Sequence, residues 1–126
     1  MDRRYVVTAL TYAIAGLMLG IYMAASKDHG QLVTHAHIML VGFVVSFVYA
    51  LCHKLWLDTV ATPLARVQFY LHQAGTLVLT VSLFLLYGEF MTLERLDPIL
   101  GIASLTVFVA LVLMTILFVR TPPHTP

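Results

Sequence analysis

Residues 33–57, VTHAHIMLVGFVVSFVYALCHKLWL, decide the fold. The run is longer than the ~20 residues that cross a hydrocarbon core, yet it holds three imidazoles, His35, His37 and His53. What surrounds it follows from the rest of the chain. At 126 residues, 60% hydrophobic and 10% charged, the sequence carries more apolar surface than a soluble domain of that size can bury. The excess requires lipid.

Working outward, three further apolar stretches of similar length run over Tyr5–Ala25, Leu64–Tyr87 and Ile99–Val119. Between them lie Ser26–Leu32, Asp58–Pro63 and Gly88–Pro98, all charged or turn-forming. Short connectors make neighbouring helices antiparallel. The expectation is an all-α, four-helix transmembrane bundle or arc, with residues 1–126 as one domain. Arg3, Arg4, Lys54, Arg66 and Arg120 fall on one side of the membrane, and Lys27 and Arg95 on the other. That bias predicts cytoplasmic N- and C-termini, in a multi-pass protein of a bacterial-type inner membrane.

Arg3-Arg4 before an apolar run ending Met23-Ala24-Ala25-Ser26 imitates a secretory signal, but the run exceeds a typical signal core and is expected to stay as a span. Cys52 is the single cysteine, so an intramolecular disulfide and covalent c-type haem attachment are excluded, and a packed thiol is expected. A formal charge of +1 and the absence of any basic patch exclude a nucleic-acid partner. The tail Thr121–Pro126 is too short and Pro-rich to fold. In the first span Gly16 and Gly20 have G-x-x-x-G spacing, extended by Ala9 and Ala13. Such a stripe serves close helix packing within the subunit or, in a sharper reading, a contact between subunits.

Histidine is the residue that could carry chemistry. Of six, His35, His37, His53 and His72 lie within or at the edge of spans. A lone imidazole at membrane depth is commonly neutral and bonded to a backbone carbonyl; four together favour a metal or haem. At 1.5 Å per residue, His53 lies about 24 Å from His37, and His72 about 9 Å in from the same surface as His53. The chain therefore has an outer His35/His37 layer and an inner His53/His72 layer.

Residues two apart on a helix differ by about 200° in direction, so His35 and His37 point to opposite sides. His35 shares its face with Gly42, Ser46, Tyr49 and His53, a small and polar stripe suited to a flat cofactor or a close helix. His37 shares its face with Val44 and Val48. Gly75 and Thr76 set a similar shelf beside His72.

The strings Thr34-His35-Ala36-His37-Ile38-Met39-Leu40-Val41-Gly42-Phe43, Gly20-Ile21-Tyr22-Met23 and Tyr70-Leu71-His72-Gln73-Ala74-Gly75 resemble small four-helix membrane proteins described as similar to subunit I of cytochrome c oxidase. The resemblance runs from about Gly16 to Tyr87. In the large oxidases, subunit I has twelve helices in three arcs of four, and a His-x-His pair reaches two different haems; His35-Ala36-His37 looks like that pair. The tandem histidines of the oxidase copper and its cross-linked tyrosine have no counterpart here, so oxygen reduction is not implied. Haem affinity and the four-helix arc are.

The leading expectation is a membrane protein of b-type cytochrome character, transferring electrons or storing haem b, with His35 and His37 as axial iron ligands and Gly42, His53 and His72 as further cofactor-contact residues. Two imidazoles on iron leave no open position, which favours one-electron transfer over gas chemistry. The alternatives are a copper-binding or copper-handling protein using His35, His37 and Met39 or Met23, and a cofactor-free assembly subunit. Whether His53 and His72 ligate a second haem is left open. Because one chain presents only one outer imidazole to a given iron, the second is expected from a neighbouring chain, in a homotrimer closed by cyclic symmetry.

Overall fold

The computed structural model describes residues 1–57 and 62–123, and every regular element among them is helical. Four helices, α1 (Asp2–Ser26), α2 (Leu32–Leu55), α3 (Pro63–Tyr87) and α4 (Leu93–Arg120), are each long and apolar enough to cross a membrane. Helix is the outcome lipid enforces, since each backbone group must be satisfied within its own segment.

The first three bounds agree with the apolar runs to within three residues at each end, α2 closing at Leu55 in a turn through Trp56. The fourth differs. α4 begins at Leu93 rather than Ile99 and takes in Glu94, Arg95, Asp97 and Pro98. Thr92 enters it in an extended conformation (φ −79°, ψ 152°), and Glu94 sits in the first turn, where the helix dipole favours a carboxylate. Pro98 lies inside the helix and forfeits one backbone bond, to the Glu94 carbonyl, a loss that membrane helices tolerate where neighbouring groups satisfy the freed carbonyl.

The connectors are built from side-chain caps. After α1, Lys27 adopts a left-handed φ of 59°; the Asp28 amide then donates to Ser26 Oγ (3.2 Å) and the Gly30 amide to Asp28 Oδ1 (3.0 Å). Thr62 caps α3 by accepting from the Ala65 amide (3.1 Å), with Pro63 in the first turn. The rest of the expected Asp58–Pro63 connector, residues 58–61, lies outside the described residues, as do residues 124–126 of the tail.

The antiparallel order is visible in the core. Tyr5 at the start of α1 packs with Tyr49 near the end of α2, Phe69 near the start of α3, and Met114 and Leu117 near the end of α4. Cys52 is half-buried against this cluster, as a packed thiol. At the opposite end Gln31 Nε2 donates to the Phe84 carbonyl (3.0 Å), while Leu79 and Leu83 of α3 meet Ala103 of α4. Arg3, Lys54, Arg66 and Arg120 thus stand at one end of the bundle, and Lys27 and Arg95 at the other.

α2 is not a uniform α-helix. Ile38–Val45 winds as a π-helix directly after His35-Ala36-His37. This wider segment lies against α1, each helix seating a side chain on the other's glycine: Met39 of α2 packs on Gly16 of α1, and Tyr12 of α1 on Gly42 of α2. A Cβ on Gly42 would stand 2.6 Å from Tyr12 Cγ, so only glycine admits the ring. The G-x-x-x-G pair of α1 therefore serves helix packing inside the chain.

Candidate functional site

In the outer layer α2 carries both expected imidazoles, and they diverge. His35 turns toward α1, its Nδ1 2.8 Å from the Gly16 carbonyl and its ring against Gly20. His37 turns away, its Nδ1 2.8 Å from the Val33 carbonyl one turn earlier on its own helix. One ring thus contacts the neighbouring helix and the other the backbone of its own.

Both contacts fix the same tautomer. A backbone carbonyl only accepts, so each Nδ1 must carry the proton and donate it. That leaves Nε2 of each ring as the nitrogen whose lone pair a metal could take. A second nitrogen donating to a backbone carbonyl is also what orients a metal-bound histidine and raises its basicity. So held, each imidazole would offer Nε2, rather than Nδ1, to a metal. His35 is half-buried at the α1–α2 seam, and the absence of a side chain at Gly20 is what gives its ring room. Gly20 is decisive, since a Cβ there would lie 3.0 Å from His35 Cε1.

The inner layer behaves otherwise. His53 and His72 lie at a common depth, as expected, but both are buried within the chain's own core. The Tyr5 ring stacks on His53 (centroids 5.7 Å, 22°) and lies 6.1 Å from His72, while the Tyr49 ring meets His72 edge-on at 5.0 Å. Packed rings fill the space a macrocycle between the two imidazoles would need, so His53 and His72 do not fit a second haem. Gly42 is likewise covered by Tyr12 and receives a helix rather than a cofactor.

What the inner residues build is a polar brace. Tyr5 donates its hydroxyl to Gln68 Oε1, and Gln68 Nε2 donates onward to the Ala110 carbonyl (3.1 Å), tying α1, α3 and α4 together. Ser46 Oγ lies 2.9 Å from His72 Nε2, joining α2 to α3. His53 has neither nitrogen bonded among the described residues, and His72 Nδ1 and Thr76 Oγ1 are also unpartnered. Tyr5 and Gln68 were not singled out in the sequence, although a glutamine well inside an apolar span is the kind of residue that glues membrane helices.

Among the described residues no three His, Cys, Asp or Glu side chains gather where one ion could be held. A chelate built wholly inside one chain from those residues is thus absent there, whereas a pair of imidazoles contributed by two chains needs no such cluster. No family model, curated protein or solved structure matches the chain.

Proposed function

We propose that this chain is a b-type haem-binding protein of a bacterial-type inner membrane, with its termini cytoplasmic, acting in electron transfer or haem storage. His35 and His37 supply the axial ligands through Nε2. The observation that supports the reading is their shared arrangement: two residues apart on α2, the His35 Nδ1 lies 2.8 Å from the Gly16 carbonyl of α1 and the His37 Nδ1 2.8 Å from the Val33 carbonyl of α2 itself. Since the two imidazoles diverge, one iron takes His35 from one chain and His37 from the next. A homotrimer closed by cyclic symmetry then satisfies every ligand with identical chains.

Haem ligated by two imidazoles supplies a one-electron couple without an open coordination position. The protein's own contribution is to hold both rings in one tautomer, to keep the outer layer in an apolar surround, and to brace the bundle at its other end. The absorbance spectrum of the purified protein tests this. A Soret band with sharp reduced α and β bands is expected, and colourless protein would contradict it.

Copper is the second reading, because Met39 packs on the same Gly16 whose carbonyl receives His35, bringing a thioether and an imidazole to one seam. Colourless protein with stoichiometric copper would favour it, and protein with neither would favour a cofactor-free assembly subunit.

A further inference from the structure

At the basic end of the bundle, α1 and α2 part to leave a groove of about 350 Å³. Its walls are Val6 and Val7 of α1 and Phe47, Ala50 and Leu51 of α2; Arg3 and Lys54 stand on its rim. Asp2 also borders it, but that carboxylate lies 3.8 Å from the amino-terminal ammonium, which offsets its charge. Among the described residues neither Arg3 nor Lys54 has a carboxylate within 4.0 Å. The groove is thus cationic at its mouth and apolar along its floor.

Its place in the fold selects the occupant. Val7, Phe47 and Leu51 are exposed on the sides of helices long enough to span, so the groove opens sideways into lipid rather than into water. From Lys54 to Phe47 it runs about 10 Å down the helix axis, the direction an acyl chain takes below a headgroup. A soluble anion would find no polar floor there. Basic residues set at the membrane surface between helices are what anionic headgroups bind.

We propose that this α1–α2 groove is a binding site for one anionic phospholipid, its phosphate between Arg3 and Lys54 and an acyl chain along Val7, Phe47 and Leu51. The charge complementarity of the rim sets headgroup preference, and the apolar floor holds the chain. The site lies at the opposite end of α2 from His35 and does not depend on haem.

Native mass spectrometry of the detergent-purified protein, with phosphatidylglycerol or phosphatidylcholine added at equal concentration, tests it. One retained phosphatidylglycerol per chain is expected, at least tenfold favoured over phosphatidylcholine and undiminished by millimolar inorganic phosphate. The R3Q/K54Q double variant should lose that preference, while R66Q, which removes a cation at the same end but outside the groove, should keep it. Leu51→Trp, filling the groove with both charges intact, should lower retention of both lipids and decides the matter if the double variant does not fold. Equal retention of the two lipids, an unchanged preference in R3Q/K54Q, unchanged retention in Leu51→Trp, or displacement by free phosphate would overturn the proposal.

Discussion

His35 of α2 donates from Nδ1 to the Gly16 carbonyl of α1 across 2.8 Å, with Gly20 against the ring. One small-residue stripe therefore both joins the two helices and sets the tautomer of an imidazole.

Gly20→Ala should disturb that arrangement. The new Cβ would sit 3.0 Å from His35 Cε1, so the ring must move by a few tenths of an ångström. A stability loss of about 1–3 kcal/mol is expected from overpacking. Gly101→Ala, where nothing lies within 4 Å, should cost nothing measurable. Thermal unfolding in detergent compares the two, and equal midpoints would contradict the packing described.

Tyr5→Phe removes the hydroxyl that donates to Gln68 and leaves a buried amide oxygen unpaired. Hydrogen bonds between membrane helices average about 0.6 kcal/mol and reach about 1.7, and orphaning the acceptor pushes this one toward the upper figure. Tyr5→Ala should cost far more, about 3–5 kcal/mol, since the ring fills the space between His53, Tyr49 and Phe69. Detergent or denaturant unfolding reads both.

The inner imidazoles should respond in opposite senses. His53→Leu removes two buried nitrogens that have no hydrogen-bond partner among the described residues, so stability is expected to hold or rise. Ser46→Ala takes away the one bond His72 makes among the described residues and should cost about 1–3 kcal/mol. Neither should change the haem-to-protein ratio, because neither residue touches the outer layer. A halved ratio in His53→Leu would restore the inner pair as ligands.

Much of this was legible in the sequence because lipid imposes length and composition on a span. The apolar runs located α1 to α3, and spacing alone separated His35 from His37 and set His53 level with His72. The start of α4 was not legible: Glu94, Arg95, Asp97 and Pro98 look like a connector in composition, yet a first turn accepts an acid, and a membrane helix accommodates the one backbone bond that an interior proline gives up. The π-helix was hidden too, since Ile38–Val45 is apolar throughout and a fixed 100° projection assumes α geometry. Nor could spacing reveal that Tyr12 covers Gly42 or that Tyr5 occupies the gap between His53 and His72, because both are contacts between helices far apart in sequence.

The central claim, that one haem draws His35 and His37 from two chains, is tested most directly by co-expressing differently tagged His35→Ala and His37→Ala chains and recording reduced-minus-oxidised spectra of the mixed oligomer. Each variant alone should lose six-coordinate haem at every interface, and mixed trimers should regain it where an intact His35 meets an intact His37. A haem-replete monomer, or single variants with unaltered bis-imidazole spectra, would contradict the account.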